Sequence, residues 1–73
     1  MREKLLNTIR KHVIAEYPKE ACGVIVQSGN KQIYIPCQND AEDPLNTFVM
    51  RDSDYRSAEM QGEVIMIIQS HPD

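Results

Sequence analysis

Ala21-Cys22-Gly23-Val24-Ile25-Val26-Gln27 is followed, across Ser28-Gly29-Asn30-Lys31, by Gln32-Ile33-Tyr34-Ile35-Pro36-Cys37. The first segment is short, nearly continuous in apolar residues and rich in valine and isoleucine, with Pro18 and Gly29 at its bounds. A run of that kind predicts a buried strand. Gly and Asn in the connecting segment accept the positive φ that tight hairpins require. Beyond the turn, Ile33, Ile35 and Cys37 alternate with Gln32, Tyr34 and Pro36, the period-two pattern of a half-buried strand. Pro36 has no N–H to give to a ladder, which predicts an edge or a strand end there.

Working outward, Leu5, Ile9 and Val13 recur at helical spacing with Leu6 and Ile14 beside them, so a helix is predicted from Arg2 to about Glu16. Tyr17-Pro18 ends it, because a residue before proline is pushed out of the α region. On the other side, Gln38 to Asn46 reads as a polar, acidic loop punctuated by Pro44, and Thr47 to Met50 as one short strand. Asp52 or Ser53 is a good N-cap for a helix through about Gln61, with Gly62 placed to terminate it. Glu63 to Gln69 holds Val64, Ile65, Met66, Ile67 and Ile68, the most hydrophobic segment of the chain, and predicts a central strand covered on both faces. The order is helix, strand, strand, short strand, helix, strand, which makes an α/β domain. After that last strand the sequence reads Gln69-Ser70-His71-Pro72-Asp73, with no helix to cover it, the pattern expected of a fragment or a truncated domain.

With 73 residues there is room for a single small domain. Hydrophobic residues at 41% and charged residues at 26% are globular values that speak against disorder. Eight Lys+Arg against 11 Asp+Glu leave a net charge of −3, which argues against a nucleic-acid partner. Arg2, Lys4, Arg10, Lys11 and Lys19 do cluster in the first segment, but they alternate with apolar residues as the solvated side of a helix. The longest uninterrupted apolar run, Val64 to Ile68, falls far short of the ~18 residues of a membrane span. Cys22 and Cys37 are too few for a disulfide scaffold and lack C-x-x-C spacing; two reduced, largely buried thiols of a cytoplasmic protein are expected. Met50, Met60 and Met66 are expected to fill the core, Tyr17, Tyr34 and Tyr55 to pack partly buried, and His12 to sit at the surface or boundary of the first helix.

No phosphate-binding glycine loop and no nucleophile elbow occurs. Cys22 as a nucleophile with His71 as its base is disfavoured, since a thiol inside an apolar strand is inert. Metal chemistry is the stronger candidate. A hydrolytic zinc site needs imidazole or carboxylate ligands, an open position for water and a carboxylate to take that water's proton. Glu20 before the first strand and His71 after the last are residues of those two kinds.

Pro18-Lys19-Glu20-Ala21-Cys22-Gly23-Val24-Ile25 resembles the opening of the JAMM/MPN+ metalloprotease domain, whose glutamate lies in a P-x-E-x-C-G context. Glu63 to Asp73 resembles that family's strand leading into His-Ser/Thr-His-Pro. Ile35-Pro36-Cys37-Gln38-Asn39, Asp43-Pro44, Phe48 and Asp54-Tyr55 are similar to one branch of it, found in tail assembly proteins of lambda-like phages and prophages.

The resemblance covers the whole chain and implies a partial MPN domain, cytidine-deaminase-like, with a mixed sheet behind an N-terminal helix. It implies a zinc-dependent peptidase or isopeptidase activity in which Glu20 handles the proton of zinc-bound water. His71 takes the place of a zinc ligand and Ser70 that of the Ser/Thr between two histidines. Gln69 stands where the first histidine belongs, and an amide is a poor zinc ligand. The family's downstream Ser-x-x-Asp has no counterpart up to Asp73, which follows Pro72 too soon to replace it. The chain alone is therefore expected to bind no zinc and to be inactive. The implied setting is a bacterial host's cytoplasm or the phage tail itself, with tail tip and assembly proteins, or a second copy, as partners. A non-catalytic interaction module, or a dimerising component of the tail, is the alternative expectation.

Overall fold

The computed structural model describes residues 2–72. Helix α1 spans Arg2–Glu16 and leads through Tyr17-Pro18 into strand β1, Cys22–Ser28. Strand β2, Lys31–Cys37, returns beside it; helix α2, Asp52–Glu59, and strand β3, Glu63–Gln69, complete the described residues. The sheet order is β2-β1-β3, and both pairings are antiparallel.

The α/β class is observed, while the sheet is antiparallel throughout the described residues rather than mixed. β1 and β2 are joined by the two-residue loop Gly29-Asn30, with φ of +61° at Gly29 and no positive φ at Asn30. A positive φ at the first loop residue alone is the signature of a type II′ hairpin, which matches the right-handed twist of the strands it joins. Opposite residues such as Val24 and Ile35, or Ile25 and Tyr34, share a face of the sheet.

Those two faces carry different layers. Val24 and Val26 are fully buried against Ala58 of α2, with Ile35, Met50, Tyr55 and Val64 packed around them. Burying one such valine contributes about 1.5–3 kcal/mol. On the opposite face Ile25 and Tyr34 are buried, and His12 of α1 meets Tyr34 there. β1 is thus the strand covered on both sides, as its apolar run predicts.

β3 is not the central strand that its hydrophobicity suggested. Among the described residues it pairs with β1 only, and Ile65, Met66 and Ile67 are exposed. Hydropathy reports how much a strand has to bury but not how many neighbours it pairs with, and here the central place belongs to β1. The ladder also slips between Ile25 and Val26, where Met66 and Val64 are the successive partners and Ile65 is the extra residue.

Thr47–Met50 forms no strand: a single bridge joins Met50 to Asn39. The residue capping α2 is Arg51, without a side-chain cap bond, and not Asp52 or Ser53. Asp52 instead pairs with Arg56 one turn on, 2.8 Å away, and Asp54 accepts the Gln38 N–H at 2.8 Å. Gly62 lies beyond the helix end at Met60, where its lack of a side chain lets it approach the Gln27 carbonyl. Met50 fills core space as expected; Met60 and Met66 do not, being exposed. Tyr17 is exposed as well, whereas Tyr34 is buried and Tyr55 half-buried.

Candidate functional site

Because β1 and β3 are antiparallel, the start of one strand meets the end of the other, with Cys22 opposite Gln69. The residues just outside the ladder are then neighbours too. Ser70 N–H donates to the Ala21 carbonyl at 2.9 Å, and the Ser70 hydroxyl accepts the Ala21 N–H at 2.8 Å. This side-chain bond takes the place of one backbone rung and extends the β1–β3 pairing past its last regular pair. One step further out, Glu20 and His71 come together, with Oε2 of the carboxylate 3.3 Å from Nδ1 of the imidazole.

The two partners sit in opposite environments. Glu20 is 3% exposed, while the His71 side chain is 80% exposed. A carboxylate buried to that degree needs a donor or a cation beside it. His71 supplies one from the solvent side, as an N–H donor or as imidazolium.

The backbone of Glu20 is fixed as firmly as its side chain. Its N–H donates to the Pro44 carbonyl at 2.6 Å, and its carbonyl accepts from Asn39 Nδ2 at 2.8 Å. Asn39 also donates to the Thr47 carbonyl at 3.0 Å and accepts the N–H groups of Ala41 and Val49, both at 3.0 Å. The loop between β2 and α2 is thereby tied to the start of β1 through one buried amide. Asp40 and Arg51 close the same loop from outside with two bonds of 3.0 Å, an arrangement that raises the guanidinium pKa above its usual value.

Glu20, Ser70 and His71 are thus gathered at one end of the sheet, and Gln69, exposed, sits at the last position of β3. Asp73 lies outside the described residues. Asn39 closes the Ile35-Pro36-Cys37-Gln38-Asn39 stretch of the resemblance, but no site role was read for it. Its one sequence signal was an amide after Pro36-Cys37-Gln38 in a loop, where Asx side chains bond to nearby backbone.

A catalytic zinc centre uses three protein ligands as a rule. The described residues offer one imidazole at this end of the sheet, a glutamine amide beside it, and a carboxylate already in contact with that imidazole. No group of three or more His, Cys, Asp or Glu that could hold a metal occurs among the described residues. By themselves these side chains do not fit the metal. Two open grooves elsewhere, one beside Arg2 and Lys31 and one beside His12 and Asp54, include neither Glu20 nor His71.

Cys22 and Cys37 are free thiols, buried opposite each other across β1 and β2. Burial, with further contributions from Cys37 and from Asp40, Asp54 and Glu16, pushes the Cys22 thiol up to about 11. Cys37 is raised as well, by burial first and then by Asp54. Neither is a nucleophile near neutral pH. No helix among the described residues is long and apolar enough to cross a membrane.

The antiparallel pairing of β1 with β3 thus brings together the two segments, Pro18 to Ile25 and Glu63 onward, that resemble the JAMM/MPN+ domain. Residues 2–73 match the family described as prokaryotic homologs of the JAB domain, and the chain belongs to it. It is similar to tail tip assembly protein K of Escherichia phage N15, with 42% identity over 73 residues, covering 100% of this chain and 30% of that protein. The chain therefore spans less than a third of that curated relative's length. No solved structure matches it with significance.

Proposed function

We propose that these residues are the JAB-type portion of a phage or prophage tail assembly protein, and that on their own they hold no catalytic zinc. The observation that carries this reading is the Glu20–His71 contact of 3.3 Å beside Gln69. The groups that would serve a zinc centre as proton acceptor and ligand face each other, and Gln69, two residues before His71, offers an amide. Peptide or isopeptide hydrolysis, the reaction for which the family resemblance speaks, then needs ligands from outside these residues.

The test is a zinc titration of the 73-residue chain, following the His71 and His12 imidazole resonances by NMR. The expected result is no saturable change at His71 at micromolar zinc. A saturable shift confined to His71 overturns the reading and means that a ligand is supplied from elsewhere, for instance by a second copy. Gln69→His is expected to raise zinc affinity, since it places a second imidazole two residues from the first.

A second reading, a module that works by binding, is favoured by the exposure of Ile65, Met66 and Ile67 on an edge strand. Tail components or another copy of the chain are the partners it implies. A light-scattering mass that stays monomeric at every concentration counts against self-association.

A further inference from the structure

The outer edge of β2 has a different character from that of β3. Between the first turns of α1 and this edge runs an open groove of about 700 Å³. Arg2, Lys4 and Lys31 line it together with Leu5, Gln32 and Ile33, and no Asp or Glu does. In a chain of 8 Lys+Arg and 11 Asp+Glu, that is a local reversal of sign. None of the three cations takes part in an ion pair among the described residues.

The backbone beside the groove is also unpaired on one side. Among the described residues β2 bonds to β1 alone, so the other side of Lys31 to Ile35 has no ladder partner and faces the groove. Pro36, lacking an N–H, limits such pairing at the far end. Ile33, at 36% exposed, and the half-buried Leu5 give that strand an apolar contact between the charges. Strand addition of this kind takes affinity from main-chain bonds and selectivity from the side chains that flank the edge.

We propose that the groove and the β2 edge receive an extended acidic segment of a partner protein. It adds as a fourth strand, with Asp or Glu side chains set against Lys31, Arg2 and Lys4. Nucleic acid fits less well. The aromatic ring in the lining, Tyr34, is 5% exposed and offers no face on which bases stack. None of these residues belongs to the Glu20–His71 pair, so this inference and the zinc reading stand or fall separately.

The probe is a synthetic peptide of alternating Glu and Val, about ten residues long, the upper length of an ordinary strand. It is titrated into the isotopically labelled 73-residue chain and followed by amide NMR. Saturable shifts are expected at Lys31 to Ile35 and in the first turns of α1. Affinity is expected to fall about tenfold or more in Lys31→Glu and in the Arg2→Glu/Lys4→Glu double variant, and to weaken as salt screens the charges. The variants lie at exposed positions, and their circular dichroism should match that of the parent.

Absence of shifts at millimolar peptide overturns the proposal. Equal binding of the same peptide with Lys in place of Glu overturns it too. So do inorganic phosphate or an oligothymidylate, if either moves these residues at lower concentration than the acidic peptide does. The first of these would mean an anion site, the second a nucleic-acid surface.

Discussion

Asn39 uses both ends of its side-chain amide, donating to the carbonyls of Glu20 and Thr47 and accepting the N–H groups of Ala41 and Val49. At 8% exposure none of these groups finds a ready substitute in water. Asn39→Asp is nearly the same shape, keeps the acceptor, loses both donors and sets a charge among carbonyl oxygens. It is expected to cost about 2–4 kcal/mol in urea unfolding. A loss below about 0.5 kcal/mol, within the ordinary range for surface changes, would mean that the loop holds Glu20 without the amide. Cys22 permits a separate check at this scale. With its pKa raised to about 11, roughly one thiol in a thousand is ionised at pH 8. Alkylation by iodoacetamide at that pH should run at least about a hundredfold slower in the folded chain than in denaturant, with mass spectrometry as the readout. Equal rates would show that the thiol is neither buried nor raised.

At the scale of elements, α1 fully buries none of its residues, so its hold on the sheet rests on partial contacts such as His12 with Tyr34. The ring nitrogen Nδ1 lies 2.8 Å from the phenol oxygen, and the ring centroids are 5.7 Å apart. Burial lowers the His12 pKa below 6.5, with Glu16 pulling weakly the other way, and burial raises that of Tyr34. The folded chain therefore takes up a proton at His12 less readily than the unfolded chain does. This contribution to stability is complete above about pH 6.5 and is lost as pH falls through the lower folded value. Thermal midpoints by circular dichroism should fall between pH 7.5 and 5.5, and His12→Gln, which keeps a polar partner for Tyr34, should flatten that slope. An unchanged slope in the variant would assign the effect to other groups.

The same elements show what the sequence made legible. The bounds of α1 followed from a helical stripe and Tyr17-Pro18, and the β1–β2 hairpin from its turn residues; both are local signals. Neither the edge position of β3 nor the pairing that brings His71 to Glu20 was legible, because pairing partners lie far apart in the chain. The family resemblance implied one zinc site for Glu20 and His71, but no local signal in the residues themselves placed the two together. Asn39 was missed for the same reason, since all but its bond to Ala41 reach backbone groups eight or more positions away.

For the whole molecule, net charge and the β3 edge work against each other. At pH 7 the chain carries −3, and mutual repulsion keeps copies apart while Ile65, Met66 and Ile67 remain exposed on an unpaired edge. Such an edge is a template for association, which charges on or near the strand normally blunt. The one charged residue of β3, Glu63, sits at its end. As pH falls towards the isoelectric point near 5.2 the repulsion disappears, and the apolar edge should then dominate. Scattering intensity at fixed concentration is expected to rise steeply between pH 6.5 and 5.2. Met66→Lys, which puts a charge in the middle of the exposed strand, should suppress that rise without altering the fold. The loss of His12-linked stability over part of the same range offers a competing cause, association of unfolded chains, and far-UV circular dichroism separates the two. Association with the native spectrum retained assigns the effect to β3. Association that follows loss of the spectrum, and that Met66→Lys leaves untouched, assigns it to unfolding and removes the edge strand as a surface for self-pairing.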